Sequence, residues 1–483
     1  MDPIGALDSR LGDLLERGTE AHHRRRLRRI GRDDQRTPPD DGRLWAAGDP
    51  PPRAGNGVEV LIDGAAYFPA LADAIAAARS SVHIAGWCIS PEFALGRAEP
   101  PLLLRELLAD AAERIDVRVL LWAGAPAPVF PPRRSAVREA AKALTDGTRT
   151  RVALDAHERP MHCHHEKLAV IDGETAFVGG IDITSLGGDR WDTPEHPARG
   201  RLGWHDVAAR VNGPAVADVA EHLAMRWSQV TGEPVTLTAA PPAAGDLEVQ
   251  VVRTVPEKIY DAVPRGDFRI LEAYRRALRS AQRLVYLENQ FLWSPEIGDL
   301  LAAKLREPPH QDFRVIVMLP GHANNGEDDT RGQLALLSDA DEEGGGGRFL
   351  ATTIMARTGR TADRVYVHAK VGIVDDHWLT LGSANLNAHS LYNDTEMNLV
   401  VCDEALARST RARLWASHLE CGEDVAAGDP AALFDERWAP LAAEQRELRD
   451  RGMPATHRLL QLVATSRRAD RLLGPLQGLV VDG

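Results

Sequence analysis

The chain is poor in cysteine. Cys88, Cys163, Cys402 and Cys421 are too few and too scattered in 483 residues for a disulfide scaffold, and no C-x-x-C pair offers half of a zinc site. No apolar run approaches the ~18 residues of a membrane-spanning helix. Residues 1–18 carry charges every few positions instead of a secretory apolar core. The expectation is a cytoplasmic chain, peripheral at most at the inner membrane face. Positive charge is also short: Lys+Arg number 57 against 70 Asp+Glu, a net charge of −13. Coating nucleic acid needs the opposite balance, so no nucleic-acid partner is expected, although one concentrated basic site remains compatible. What is present is apolar material, 44% of the chain, which excludes a disordered or fibrous protein. This length allows two large domains or about three smaller ones, and a monomer is expected.

Residues 1–55 read as a basic arm and linker. Ile4, Leu7, Leu11, Leu14 and Leu15 have helical spacing, and Arg24, Arg25, Arg26, Arg28, Arg29 and Arg32 follow. Such a run either meets anionic headgroups or stands in solvent as a partly disordered arm; the solvated arm is the expectation. Pro38, Pro39, Pro50, Pro51 and Pro52 mark the linker.

From about Val58 the chain runs through one plan twice. Residues 56–240 read strand (58–64), helix (68–80), strand (82–87), helix from Pro101, strand (117–123). Residues 245–430 repeat it: strand (247–254), helix (268–280), strand (284–290), helix from Ile297, strand (313–320). Strands alternating with amphipathic helices predict an α/β fold on a mostly parallel or mixed sheet. The Pro/Ala/Gly-rich stretch 232–246 separates the halves, and residues 431–483 read as a helical tail. Segments 187–203 and 339–347 read as loops, the second mobile and acidic.

The chemistry concentrates in two segments, 165–184 (HEKLAVIDGETAFVGGIDIT) and 368–387 (HAKVGIVDDHWLTLGSANLN). His165/His368, Lys167/Lys370, Asp172/Asp375, Gly179/Gly382 and Asp182/Asn385 are each 203 positions apart. One His-x-Lys is noise, but two copies in matching context are a strong signal. On a strand, positions i and i+2 share a face, so each His projects with its Lys. Two such strands meeting across a pseudo-twofold give one pocket with two imidazoles and two ammoniums, approached by Asn385 and Asp182. That pocket suits a phosphodiester, because fixed cations stabilise the charge of its transition state without a metal. One neutral histidine can attack phosphorus while the other, protonated, serves the leaving alkoxide. Each histidine needs a partner on its other ring nitrogen; Asp206 and Glu396, both opening predicted strands, are the candidates.

The run MHCHHEK (161–167) invites a metal reading. Adjacent strand positions point to opposite faces, however, and no second cluster is visible in the sequence, so no metal and no cofactor are expected. His162 and His164 are expected at the surface or rim, and His164 and Glu166, out of phase with the catalytic pair, are expected to point away from the pocket. Trp87, Trp204, Phe291 and Trp293 either line a groove or pack at strand ends. Asn289 and Gln290, next to Glu288, are placed to touch substrate.

The paired HxKxxxxD segments resemble the phospholipase D superfamily. GWCISPEFAL (86–95), GWHDVAARVNGPA (203–215) and YLENQFLWS (286–294) resemble its phospholipid-hydrolysing branch. The resemblance spans about residues 58–425. It implies two similar α/β/α sandwich domains related by a pseudo-twofold around one shared site, and a ping-pong route through phosphohistidine with no obligatory metal. It also implies that His165, Lys167, His368 and Lys370 act directly, that Asn385 assists, and that Asp206 and Glu396 orient the histidines. Asp172 and Asp375 are then structural, His165 the nucleophile and His368 the general acid. The expected activity is hydrolysis of glycerophospholipids to phosphatidate and a headgroup alcohol, with transfer to other alcohols. The alternatives are a cardiolipin synthase-like phosphatidyltransferase, a nuclease of the superfamily, or a non-catalytic binder of anionic lipid.

Overall fold

The computed structural model describes residues 3–126, 131–160, 162–321 and 327–462, with side chains described from residue 17 onward except at 327–332. The first half supplies β1 (Arg53–Ile62), β2 (Ser81–Gly86), β3 (Asp116–Trp122), β4 (Arg151–Asp155), β5 (Leu168–Ile171), β6 (Thr175–Gly179), β7 (Gly203–His205) and β8 (Val207–Asn212). The second supplies β9 (Leu247–Val255), β10 (Asp267–Phe268), β11 (Leu284–Glu288), β12 (Arg314–Met318), β13 (Phe349–Thr358), β14 (Thr361–Val367), β15 (Val371–Val374), β16 (Trp378–Gly382) and β17 (Glu396–Cys402). The last strand is β18 (Leu459–Gln461).

The two halves build the same mixed sheet. The first runs β4-β3-β2-β5-β6-β8-β1, parallel through β4, β3 and β2 and antiparallel from β2 to β5 onward. The second runs β13-β12-β11-β15-β16-β17-β9 with the same senses. The duplication read in the sequence is therefore a duplication of topology. Short β-branched runs, buried on both faces, account for the central strands: β3 (DVRVLLW) is buried from Val117 onward. Alternate residues serve different cores. Leu120 and Val170 join a core shared by both halves with the helices Val216–Thr231 and Glu404–His418, while Val119, Leu121, Ala169 and Ile171 face the first half's outer helices.

Three pairings knit the halves together. Arg53 and Asn56 of β1 pair with β9, β7 runs parallel to β14, and His164 bridges Thr395. The last two flank the duplicated motifs.

Several expectations are corrected. The arginine run is no solvated arm: it belongs to a helix, Pro3–Ile30, docked on the second half. His23, Arg26 and Leu27 are buried, whereas Arg24, Arg25, Arg28 and Arg29 face outward. Arg26 forms a buried two-pronged ion pair with Glu257, and His23 stacks on Tyr392. Whether Ile4–Leu15 form an apolar face lies outside the described side chains. The acidic stretch 339–347 is not a mobile loop; most of it ends a helix, Glu327–Glu343, held because Leu334, Leu337 and Ala340 reach the core. The tail is not wholly helical, since β18 adds to the edge of β13; residues 463–483 lie outside the described residues. Among the described residues no helix is long and apolar enough to cross a membrane.

Candidate active site

His165 and Lys167 lie just before β5, and His368 and Lys370 just before β15, so both motifs are extended lead-ins and not strand residues. The backbone groups there pair across the halves: His165 N–H donates to Thr395 O at 2.9 Å, and His368 N–H to His205 O at 2.8 Å. Each histidine is thereby tied to the strand end that carries its partner's neighbour.

The result is one centre. The imidazoles of His165 and His368 lie 6.4 Å apart, centroid to centroid. Their partners are crossed between halves. His165 Nδ1 meets Glu396 Oε1 at 3.0 Å, and His368 Nδ1 meets Asp206 Oδ2 at 2.6 Å. All of these groups are buried, together with Lys167, Lys370 and Asn385. Burial pushes Glu396 well above the usual carboxylate range, against the opposing pull of Lys167 and the hydroxyls of Ser383 and Ser390. Burial likewise raises Asp206 to about 6. His368 is held well below the ordinary imidazole value by burial first, then by Lys370, Arg190 and Lys167.

The two lysines have different company. Lys370 Nζ donates to Gln290 Oε1 at 3.1 Å, and Asn385 Nδ2 reaches the same oxygen at 3.3 Å. Lys167 Nζ sits 5.6 Å from the Trp87 ring centre and 3.4 Å from Asp182 Oδ2. Both donate to the carbonyl of their own motif histidine. Asp182 was expected to approach substrate; it instead faces Lys167 as a buried counter-charge, and a carboxylate there repels a phosphate. Asn289 is likewise structural, its Oδ1 accepting the N–H groups of Phe291 and Leu386. Gln290 and Trp87 do lie against the lysines. Trp204 lies tilted with its ring 4.8 Å from that of His368, Phe291 is buried, and Trp293 meets His389 edge-on.

Asp172 and Asp375 sit away from the centre. Asp172 accepts the N–H groups of Arg79, Ser80 and Ser81, and Asp375 those of Gln282, Arg283 and Leu284. They tie each hairpin to the start of the neighbouring strand. His164 and Glu166 point away from the pocket, but His164 is not at the surface or rim: it meets Asp155 and Thr395, and Glu166 meets His222 and Arg226, all buried.

Sequence reasoning missed Ser383 and Ser390, whose hydroxyls both donate to Glu396 at 2.5 Å. The signal for Ser383 was available in the repeat. Its counterpart 203 positions earlier is Gly180, where a Cβ would collide with Asp206 Oδ1. Arg190 was also missed; its guanidinium lies 3.4 Å over the Trp204 ring and 3.9 Å from Asp182. A cleft of about 960 Å³ reaches Tyr366, whose ring lies 6.2 Å from His368 and whose hydroxyl accepts from Gln290; Leu202, Ile354, Met355, Arg360 and Arg364 help line it.

Comparison with known proteins finds one matching family model and several relatives of low identity. Residues 274–416 match the family described as "Cardiolipin synthase, PLD-like domain". The chain is 26% identical over 458 residues to phospholipase D A of Dictyostelium discoideum, covering 75% of this chain and 35% of that protein. It is 24% identical over 484 residues to phospholipase D2 of Bos taurus, covering 73% and 50% respectively. Against the crystal structure of a phosphatidylserine synthase from Haemophilus influenzae the TM-score is 0.49 at 13% identity, covering 76% of this chain and 85% of that one. The chain is similar to phospholipase D superfamily proteins in its second half by family model and over about three quarters of its length by these relatives. It spans about a third to a half of the length of the curated relatives it matches.

Proposed function

We propose that the protein is a phospholipase D-type phosphodiesterase acting on glycerophospholipids. The observation that carries this reading is the crossed pairing, in which each motif histidine is oriented by a carboxylate from the other half around one cationic centre. Anchoring Nδ1 gives the chemistry to Nε2. His165 Nε2 bonds to phosphorus as the phosphorus–oxygen bond to the headgroup breaks, and His368 gives the departing alkoxide its proton. Water then attacks phosphorus, passes its proton back to His368, and the nitrogen–phosphorus bond breaks to release phosphatidate. An alcohol in place of water gives a phosphatidyl alcohol. Lys167, Lys370 and Asn385 hold the non-bridging oxygens as charge develops on them. The partly apolar, partly arginine-lined cleft that includes Tyr366, whose ring lies 6.2 Å from His368, offers room for the rest of a lipid.

The test is headgroup release from mixed phosphatidylcholine and phosphatidylethanolamine vesicles, with ethanol added to trap phosphatidylethanol. His165→Ala should lose at least roughly 1,000-fold in rate, and His368→Asn should leave phosphate on the enzyme as an acid-labile adduct. An active His165→Ala enzyme overturns the assignment of roles. A second reading, phosphatidyl transfer to a lipid alcohol, draws support from the name of the matched family model; product formed only when phosphatidylglycerol is supplied would favour it.

A further inference from the structure

The two halves bring together a second group of histidines, three residues before His165 and two before Glu396. His162 places Nδ1 2.9 Å from His389 Nδ1 and 3.4 Å from Asp394 Oδ1. His389 stands on the short helix Ala388–Tyr392 of the second half. The candidate ligand atoms of the three residues all lie within 4.8 Å of one another. The cluster that MHCHHEK lacks along the chain is supplied in space by the second half.

The surroundings point to a cation. Asp394 is wholly buried; its Oδ1 accepts the N–H of Cys163, and its Oδ2 has no hydrogen-bond partner among the described residues. A buried carboxylate oxygen without a donor is costly unless a positive charge meets it. The His162 side chain keeps 18% of its surface exposed, which gives an ion a way in.

We propose that His162, His389 and Asp394 bind one divalent transition-metal ion of the zinc, cobalt or nickel type, clamping the halves together beside the histidine pair. Two imidazole nitrogens and one carboxylate oxygen suit such ions, whereas calcium and magnesium take oxygen. Metal–ligand bonds of roughly 2.0–2.2 Å put neighbouring donors roughly 2.9 Å apart at a right angle and roughly 3.4 Å apart at a tetrahedral one. The two separations from His162 Nδ1 are 2.9 Å to His389 Nδ1 and 3.4 Å to Asp394 Oδ1, with all three ligand atoms within 4.8 Å of one another. In the metal-free protein the shorter contact is a hydrogen bond between the two rings, so the ion replaces its proton. The competing clusters Asp63–His196–His205 and His205–Glu288–His418 are wholly buried. Both nitrogens of His205 are already bound to carboxylate oxygens at 2.8 Å, so hydrogens stand where an ion would be.

The ion takes no part in the chemistry; it fixes the segment 162–165 against 389–396, whose backbones are joined from Cys163 O to Thr395 N–H and from His165 N–H to Thr395 O. The test needs no turnover, so it stands apart from the phosphodiesterase reading. Chelator-stripped full-length protein is titrated with cobalt(II) and followed by its visible d–d absorption, with zinc added to displace it. The wild type should bind one equivalent. His162→Ala and Asp394→Asn should each lose at least about tenfold in affinity, and zinc should raise the melting temperature of the wild type but not of these variants. His162→Ala changes a partly exposed side chain, and circular dichroism reports whether it folds. No binding by the wild type, or undiminished binding by both variants, overturns the proposal.

Discussion

Lys167 and Lys370 occupy equivalent places in the repeat but answer to different neighbours. Lys370 is held by the amide oxygen of Gln290, whereas Lys167 faces the ring of Trp87, the residue that occupies Gln290's place in the repeat, and the carboxylate of Asp182. A duplicated site built this way is electrically lopsided, as two histidines in different protonation states require. His368 and Asp206 titrate as a unit. Burial pushes Asp206 up to about 6 and, with Lys370 and Arg190, holds His368 well below its usual value, so the resting pair gives up its one proton near pH 6. A bound phosphodiester adds negative charge among those cations and tightens the hold on that proton. If His368 is the acid, the alkaline limb of kcat/KM, which reports the free enzyme, should fall near pH 6, and that of kcat, which reports the complex, at higher pH. Coincident limbs would count against the assignment.

Asp172 and Asp375 test the opposite expectation, that a motif residue is structural. Each accepts three backbone N–H groups, and each sits at positive φ, 56° and 52°. Asparagine tolerates that backbone better than alanine does. Asp375→Ala should therefore cost about 1–3 kcal/mol in denaturant unfolding and Asp375→Asn less, with kcat in the folded fraction changed little. A large loss of kcat at unchanged stability would return Asp375 to the reaction. The motif positions were legible because each is contiguous and occurs twice. Ser390 and Arg190 were not, because nothing local in the chain says that their side chains turn toward Glu396 and Trp204.

Among the elements, the arginine-rich helix shows where sequence reasoning stops. Its charges read as a solvated face, but His23, Arg26 and Leu27 share one side at spacings of three and four and turn inward. What draws Arg26 inward is Glu257, 231 positions away, with Asn393 Oδ1 and Tyr392 O completing its partners. A local pattern cannot foresee such a carboxylate. Arg26→Ala leaves Glu257, among the described residues, paired with Arg159 alone at 3.3 Å, and should cost about 3–5 kcal/mol. Neutralising the outward Arg24, Arg25, Arg28 and Arg29 together should shift stability by only about 0.5 kcal/mol per residue or less. Equal effects in chemical denaturation would mean that the helix is not docked in solution. The ten strands and helices read from the repeat were legible within a few residues, because hydrophobic period and repeat agree, whereas β4, β13, β14 and the helix Glu327–Glu343 were not read; Asp206 and Glu396 were candidates on the sequence, but their crossing to the other half's histidine was not legible there.

In the molecule as a whole, one charged ring adds to the strand pairings and shared core that join the two halves. His205 lies between Asp63 of the first half and Glu288 of the second, with Nδ1 and Nε2 each 2.8 Å from a carboxylate oxygen. Two acceptors require two N–H groups, so the ring is an imidazolium. Burial opposes that charge, but Asp63 and Glu288 outweigh it and hold His205 well above the ordinary value. Glu288 is in turn depressed, with burial opposing and His205 and His418 prevailing. The contribution of His205 to stability is complete below its unfolded value of about 6.5 and is lost as pH rises through its higher folded value. The contribution of Glu288 is complete above its unfolded value of about 4.3 and is lost as pH falls toward its depressed folded value. Between these limits the latch is whole, and the His205 carbonyl also receives the N–H groups of His368 and Ala369. His205→Gln should therefore cost about 3–5 kcal/mol near pH 6 and flatten the decline in stability above that pH. Because the ring joins the halves, guanidinium unfolding followed by tryptophan fluorescence should change from one transition to two. A variant that keeps the single transition and the wild-type pH slope would show that the halves cohere without the ring, through the apolar core they share.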